Sequence, residues 1–156
     1  MKILVTSDTH GSYSDISDYI ITNNDIDLLI HAGDGVEDVR NISYETGIDY
    51  YTVKGNNDFF INEDYEKVIE IAGNKIFLSH GHKYGVDFSY DNILEKAKEF
   101  NCEIAIFGHI HTYINKEVNG ILLLNPGSPS LPRDGVRSFV ILEIDEEIKL
   151  TRVSLD

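Results

Sequence analysis

Pairs of potential metal ligands, each separated by one residue, occur twice in the sequence. His109 and His111 form one pair, and Asp8 and His10 form the other. In an extended segment, side chains at positions i and i+2 point to the same side, so each pair would present two ligand atoms together. For the histidine pair alone, one surface ring and one ordinary loop hydrogen bond explain the sequence equally well. A metal site is indicated only when further ligands join these pairs.

Further carboxylate, amide and imidazole groups follow other short apolar runs of the chain. In chain order the candidate ligands are Asp8, His10, Asp34, Asn56, His80, His109 and His111. One carboxylate shared by two cations, with imidazole and amide groups in the other positions, is typical of two divalent ions about 3.5–4 Å apart. Such ions clamp the attacking and departing oxygens of a phosphoryl centre. A zinc finger is excluded because the chain has a single cysteine.

The elements that must position these ligands begin with a strand, helix, strand pattern. Strands are predicted over 2–7, 27–32 and 49–53, with a helix capped by Ser14 and a short helix over 36–43. This order implies parallel strands, and open α/β sheets place ligand sites at the carboxyl ends of such strands. The fold class predicted from these patterns is therefore α/β.

The second half of the chain adds hairpins to this pattern. A helix capped by Ser89 and running to about Asn101 precedes a strand over 103–107. Asn119-Gly120 is a strong type I′ turn signal. The predicted hairpins pair 67–71 with 75–79, 113–118 with 121–124, and 137–144 with 147–153. Residues 125–135 hold all three prolines and are predicted to form an ordered loop.

Composition limits the classes of partner and location. The 156 residues suit one domain over 1–156, and the net charge of -14 opposes attraction to long nucleic acids or anionic membranes. The apolar run after Met1 is too short for a signal peptide or a membrane helix, so a cytoplasmic location is predicted. Cys102 cannot form an internal disulfide and is interpreted as a buried, inert thiol. The oligomeric state is not predicted.

Five short motifs in a fixed order resemble those of the calcineurin-like metallophosphoesterases. They are Asp8-Thr9-His10, Gly33-Asp34, Gly55-Asn56-Asn57-Asp58, His80-Gly81-His82 and Gly108-His109-Ile110-His111. Asn125-Pro126-Gly127-Ser128, followed by Pro132-Arg133, resembles the small bacterial and archaeal branch of phosphodiesterases. The resemblance implies two packed mixed β-sheets flanked by helices in a four-layer αββα fold.

The resemblance also implies a role for each residue of the motifs. Asp8, His10 and His111 would bind one metal ion, Asn56, His80 and His109 the other, and Asp34 would bridge the two. Asn57 occupies a position where many relatives carry a histidine that protonates the leaving oxygen, and His82 would face the substrate. Arg133 is a candidate for binding a phosphate oxygen, since a guanidinium suits that contact. Asp58 is a candidate for orienting neighbouring groups.

The function implied is hydrolysis of small-molecule phosphodiesters by attack of metal-bound hydroxide on phosphorus. Manganese is the first choice of metal, and nickel, iron, zinc and cobalt are alternatives that the mixed ligands admit. A noncatalytic scaffold is the main alternative, because a retromer subunit uses the same fold for protein assembly. The complete set of seven ligands argues against the scaffold. A nuclease of the same superfamily is disfavoured by the acidic charge and by the absence of a second domain.

Overall fold

The computed structural model describes residues 1–156, which form ten strands and three α-helices. The strands are β1 (Lys2–Thr6), β2 (Leu28–His31), β3 (Tyr50–Thr52), β4 (Glu66–Ile71), β5 (Asn74–Ser79), β6 (Ile104–Ile106), β7 (Tyr113–Val118), β8 (Ile121–Pro126), β9 (Ser138–Ile144) and β10 (Ile148–Ser154). The helices are α1 (Ser14–Thr22), α2 (Val36–Thr46) and α3 (Asp91–Glu99). The predicted elements are therefore all present, in the predicted order.

Two mixed sheets of five strands each form the centre of the molecule. The first sheet has the order β10-β9-β1-β2-β3, and the second has the order β4-β5-β6-β8-β7. Within the first sheet β1, β2 and β3 are parallel, and within the second β5, β6 and β8 are parallel. The pairs β9–β10, β4–β5 and β7–β8 are antiparallel, as the hairpin signals predicted, and β9 is also antiparallel to β1.

Alternating side chains assign the two faces of each sheet to different layers. Ile3 and Val5 of β1 belong to a cluster of 16 buried residues between the sheets, whereas Leu4 packs against Ile16 of α1 and Val39 of α2. A third cluster places α3 on the outer face of the second sheet. The period of two along a strand explains this division, because successive residues point to opposite faces. The four-layer αββα arrangement is thereby confirmed.

The hairpin turns form where the sequence predicts them, but helices α1 and α3 do not begin at the predicted residues. Asn119 and Gly120 both have positive φ, 52° and 80°, as a type I′ turn requires. The prediction that Ser14 caps α1 was wrong, because Ser14 is already helical and Tyr13 is the capping residue. Tyr90 holds the equivalent position in α3, although the Ser89 hydroxyl accepts a hydrogen bond from the Asp91 amide at 3.1 Å.

Helix α2 runs three residues beyond the predicted end at 43. Its last turn closes at Gly47, which adopts a left-handed conformation with φ of 77° and donates its amide to Ser43. Glycine is favoured at this position because it enters the left-handed region without a steric cost.

No helix of the structure combines the length and the hydrophobicity needed to cross a membrane.

Candidate metal centre

The predicted ligands all lie in loops that follow parallel strands. Asp8 and His10 follow β1, Asp34 follows β2, and Asn56 follows β3. The second sheet contributes His80 after β5, together with His109 and His111 after β6. Packing of the two sheets brings their carboxyl edges together, and backbone hydrogen bonds from Asp8 to Gly33 and from His10 to Asp34 join the first two loops.

One group of ligand atoms is formed by Asp8, His10 and His111. The His111 Nε2 atom lies 3.1 Å from Asp8 Oδ1 and 3.3 Å from His10 Nε2. The His10 Nε2 atom lies 3.8 Å from the same Asp8 oxygen. These three side chains could hold a metal ion. They are the residues that the family resemblance assigns to one of the two metal ions.

A second group surrounds Asp34, which lies between the two predicted sites. Asp34 Oδ2 is 3.7 Å from His10 Nε2 and 3.4 Å from His80 Nε2. Asp8, Asp34 and His80 form a second cluster that could hold a metal ion. On the far side of His80, the Nδ1 atom of His109 lies 3.1 Å from Asn56 Oδ1. The structure thus brings all seven predicted ligands into one continuous cluster.

Two buried atoms of this cluster have no hydrogen-bond partner. They are Asp8 Oδ1 and His80 Nε2, which lie 3.8 Å apart on side chains with no exposed surface. The opposite nitrogen of the His80 ring, Nδ1, is 2.7 Å from the Ala32 carbonyl and donates to it, so Nε2 is the ring nitrogen that would offer a lone pair to a cation in the neutral ring. A buried polar atom without a partner costs about 1–3 kcal/mol. Divalent cations would satisfy both atoms, and the residues present therefore fit a metal centre.

The backbone of the cluster is unusual for non-glycine residues. Five predicted ligands adopt positive φ values between 46° and 69°, namely Asp8, His10, Asp34, His109 and His111. Each such conformation costs on the order of 1–3 kcal/mol and concentrates at functional sites. Asp and His tolerate this region better than most residues. The conformations direct the side chains into the cluster as each strand ends.

Two motif glycines leave space for the aspartates. A Cβ atom on Gly55 would lie 2.0 Å from Asp34 Oδ1, and one on Gly108 would lie 2.7 Å from Asp8 Oδ2 and 1.9 Å from the Ser7 hydroxyl. Neither position accepts any side chain without displacing a predicted ligand. The glycine of each motif is therefore required by close packing against a neighbouring loop.

Electrostatics keep the two carboxylates ionised. Burial opposes ionisation of Asp8, but contacts with the rings of His10 and His111, the charge of His80 and the Ser7 hydroxyl outweigh burial and hold its pKa well below the usual range. Burial also opposes ionisation of Asp34, and contacts with His80 and Asn57 lower its pKa to about 2. Both side chains are anions at neutral pH, as metal coordination requires.

Comparison with known proteins decides the family. Residues 1–147 match the calcineurin-like phosphoesterase superfamily domain. A probable metallophosphoesterase of Bacillus subtilis is 31% identical over 154 residues, which cover 97% of this chain and 89% of that protein. The chain belongs to the calcineurin-like phosphoesterase superfamily. A phosphodiesterase of Methanocaldococcus jannaschii is 28% identical over 166 residues, covering 94% of this chain and 95% of that protein.

Not every protein with this fold is described as a hydrolase. The Vps29 protein of Entamoeba histolytica, solved in complex with a zinc ion, is 26% identical, and the match covers all of both chains with a TM-score of 0.75. The comparison supports the metallophosphoesterase fold of the present chain. It also shows that Vps29, a protein with this fold, binds a zinc ion.

Residues 125–130, whose sequence resembles that of the small phosphodiesterases, hold two of the loops that carry predicted ligands. The hydroxyls of Ser128 and Ser130 donate to the Asp8 carbonyl at 2.8 and 3.0 Å. The Asn125 amide donates to the Gly108 carbonyl at 2.8 Å. Residues 125–130 therefore position the loops of Asp8 and His109 through their backbones.

Asp58 joins the loops that follow β2 and β3. Its buried carboxylate accepts backbone hydrogen bonds from Asp34, Gly35, Val36 and Gly55, at distances of 2.8 to 3.1 Å. Four amides converge on one carboxylate, which also faces the first turn of α2. The structure places Asp58 as a support of the Asp34 loop.

We expect Asp58→Asn to destabilise the fold by about 3 kcal/mol, because an amide group would turn an N–H donor toward amides that then lose their acceptor. Urea unfolding followed by circular dichroism measures this change. Asp64→Asn, at an exposed aspartate of the same segment, is the matched control and should leave stability within about 0.5 kcal/mol of the wild type. Equal stability of both variants would contradict the supporting role of Asp58.

A buried chain of hydrogen bonds links the first two ligand loops, and the sequence did not predict it. The Gly33 amide donates to His31 Nδ1 at 3.1 Å, so His31 Nε2 carries the proton and faces the Thr9 hydroxyl at 3.1 Å. Thr9 in turn donates to Asp38 at 2.5 Å. Burial lowers the pKa of His31 to about 4, and the ring is neutral. No local pattern marked Asp38, whose contacts are distant in sequence.

Three further predicted site residues lie beside the cluster. The side-chain amide of Asn57 donates to Asp34 Oδ2 at 2.7 Å, and its backbone amide donates to Asp34 Oδ1. The His82 ring centroid lies 5.4 Å from that of His80, and burial together with the charges of His80 and His109 lowers the pKa of His82 to about 4. Arg133 is exposed, and its backbone amide donates to the His111 carbonyl.

Asp87 is a further residue beside the cluster that the sequence did not predict. Its carboxylate lies 2.8 Å from His109 Nε2, while His109 Nδ1 faces Asn56. A carboxylate behind a ligating imidazole fixes the orientation of the ring. The signal was absent from the sequence because Asp87 lies in an unpatterned loop, 22 residues from its partner.

Proposed function

We propose that the protein hydrolyses small-molecule phosphodiesters with two divalent metal ions bound by the seven-residue cluster. The observation that supports this most directly is the pair of unpartnered buried atoms, Asp8 Oδ1 and His80 Nε2, which form one cluster with Asp34. Manganese is the proposed metal, with nickel, iron, zinc and cobalt as alternatives. The phosphodiesterase of M. jannaschii, which matches along most of the chain, supports a diester substrate.

Each residue of the proposed site would have a separate role in metal binding or substrate binding. Asp8, His10 and His111 would hold one ion, Asn56, His80 and His109 the other, and Asp34 both. Ions bound there supply positive charge for the phosphoryl oxygens and lower the pKa of water. Arg133 would bind a phosphate oxygen, and Asn57 and His82 would contact the reacting groups. A cleft of about 340 Å³ beside His10, Asp34 and Asn57 offers space for one arm of the diester.

Other features of the proposal come from the sequence. We propose that residues 1–156 act as one domain and that the reaction takes place in the cytoplasm. The net charge of -14 disfavours long nucleic acids and anionic membranes as partners. Fractionation of cells that produce the tagged protein would test the location, and recovery in the membrane fraction would contradict it.

The direct test of the function is a hydrolysis screen. Metal is removed, each candidate ion is restored separately, and release of nitrophenolate is followed from nitrophenyl monoesters and diesters, together with a panel of nucleotide diesters. We expect diester hydrolysis that requires the added metal. Absence of hydrolysis with every metal and every ester would contradict the proposed function.

A noncatalytic protein scaffold is the second candidate, and one observation favours it. Several large apolar side chains are exposed near the metal centre, including Phe59, Phe60, Phe88 and Leu131. Phe59 lines the cleft beside His10, and the Leu131 carbonyl accepts a hydrogen bond from His111. The chain is also similar to Vps29, a protein of this fold that is not named as a hydrolase. Metal binding without hydrolysis of any ester would favour the scaffold.

Removal of metal is expected to lower the melting temperature by about 5–10 °C. A ligand that binds only the native state stabilises it by about 2.7 kcal/mol at 100 times its Kd, and each kcal/mol shifts the melt of a chain of this size by about 2–4 °C. Differential scanning calorimetry before and after chelation measures the shift, and return of the ion should restore the melt. The same chelator added to protein that is already metal-free serves as the control. An unchanged melt, with metal loss verified by elemental analysis, would contradict a metal bound by the folded cluster.

A further inference from the structure

Two lysines and one tyrosine form a cationic cluster next to the metal centre. The Lys83 ammonium nitrogen lies 3.5 Å from the centroid of the Tyr65 ring, and the Lys54 nitrogen lies 5.5 Å from the same centroid. We call Lys54, Tyr65 and Lys83 the lysine–tyrosine cluster. Attraction of each ammonium to the ring holds both cations at one place, although like charges repel.

Neither ammonium group of the cluster has an acidic partner. Six of the 13 lysine and arginine side chains form ion pairs with carboxylates, and Lys54 and Lys83 are not among them. What distinguishes Lys54 and Lys83 from the other unpaired basic residues is that both ammonium groups lie against one aromatic ring.

Three acidic residues lie within two positions of Tyr65; two of them have other partners, and the third, Asp64, forms no ion pair with either lysine. Glu66 accepts a hydrogen bond from the Tyr84 hydroxyl, and Glu63 pairs with Lys67 at 2.7 Å. The ammonium groups of the cluster therefore keep their hydrogen-bond donors free for a ligand.

The cluster is continuous with the metal ligands. Lys54 directly precedes the Gly55-Asn56 motif, and Lys83 directly follows His82. The ring of His82 lies 5.8 Å from that of Tyr65, 5.4 Å from that of His80 and 6.1 Å from that of His109, measured between centroids. A substrate bound at the metal centre could therefore reach the lysines past His82.

We propose that the lysine–tyrosine cluster binds a second phosphate group of the substrate, so that the preferred substrates are phosphodiesters that also carry a phosphate monoester. This inference rests on the proposed function and names its substrate class. Charge-assisted hydrogen bonds from ammonium to phosphate are stronger than neutral ones. Because the rest of the surface is acidic, binding of a multiply charged anion elsewhere is disfavoured. With its second phosphate at the cluster, the substrate would bind the metal centre in one orientation.

Binding of two nucleotides tests the inference without any turnover. The probes are adenosine 5′-phosphate and adenosine 3′,5′-bisphosphate, each titrated calorimetrically into the manganese-loaded protein. We expect the bisphosphate to bind about fivefold more tightly, since each exposed contact of this kind adds a modest increment. The double variant Lys54→Ala/Lys83→Ala should bind both probes equally.

A second double variant controls for total charge. Lys75 and Lys98 are exposed, lie outside the ligand loops and also form no ion pair, so Lys75→Ala/Lys98→Ala removes the same charge elsewhere. This control should keep the fivefold preference. Equal binding of both probes by the wild type, or equal loss of the preference in both double variants, would overturn the inference.

A kinetic arm separates this inference from the proposed function. The 4-nitrophenyl ester of thymidine 5′-phosphate is compared with the same ester carrying a 3′-phosphate, and kcat/KM should be about fivefold higher for the second in the wild type and in Lys75→Ala/Lys98→Ala, but not in Lys54→Ala/Lys83→Ala. Failure of the protein to hydrolyse either ester would count against the proposed function, while the calorimetric titrations alone would still decide the phosphate subsite.

Discussion

Replacement of Asp34 by asparagine is expected to reduce kcat/KM for a nitrophenyl phosphodiester by about 10³-fold or more, with the fold retained. Asp34 Oδ2 lies within 3.7 Å of His10 Nε2 and within 3.4 Å of His80 Nε2, so this one oxygen faces ligands of both proposed ions. Only an anion offsets the repulsion between two divalent cations held close together. Loss of one preorganised charge contact at a reacting centre typically costs 10²–10³-fold, and this substitution disturbs two ligand groups.

Three measurements make the Asp34 result specific. Elemental analysis should show fewer than two ions bound per chain of Asp34→Asn, while the metal-free variant should remain folded with a melting temperature somewhat below that of the metal-free wild type, since the ionised carboxylate accepts both amides of Asn57 and its lowered pKa stabilises the native state. Asp18→Asn, at an exposed aspartate of α1, is the matched control and should keep wild-type activity. Full activity in Asp34→Asn, with metal content unchanged, would contradict the bridging role.

The fold could be predicted from the sequence because its signals are local. Apolar runs such as 2–7 and the turn at Asn119-Gly120 determine strands and hairpins without reference to distant residues. The displaced starts of α1 and α3 have a local cause as well. A serine near a helix start marks the region, but the hydroxyl cannot choose between adjacent residues. The arrangement of the two sheets was not contained in these patterns and came from the family resemblance.

The grouping of the candidate ligands could also be predicted, whereas most of the contacts that support them could not. The candidates are Asp, Asn and His residues that follow strands, and such residues are visible within a few positions of an apolar run. The contact of Asp87 with His109 and the contact of Ser128 with the Asp8 carbonyl join residues 22 and 120 positions apart. No periodicity encodes such contacts, because they depend on how loops meet after the sheets have packed.

Asn57 should make hydrolysis strongly dependent on the leaving group. Its side chain donates to Asp34 Oδ2 at 2.7 Å, and the family resemblance implies that many relatives have at this position a histidine that protonates the departing oxygen. An amide cannot act as a general acid, and such proton transfer typically contributes roughly 10²–10⁴-fold. We therefore expect rapid hydrolysis of nitrophenyl esters and a steep decline toward alkyl esters, which leave as more basic alkoxides.

The matched test compares Asn57→His with Asn24→His, an equivalent change at an exposed asparagine outside the ligand loops. Rates are measured for a series of aryl and alkyl esters of thymidine 5′-phosphate and plotted against the pKa of the leaving alcohol. Asn57→His should raise the rate for alkyl esters by about 10²-fold and leave the nitrophenyl rate nearly unchanged, whereas Asn24→His should reproduce the wild-type slope.

His82→Ala identifies the source of any proton transfer that the wild type already has. A shallow wild-type slope that becomes steep in His82→Ala would assign the acid to His82, and a slope that stays shallow would place the acid elsewhere. Either result would contradict the prediction, because a protein with an effective acid gains nothing from histidine at position 57.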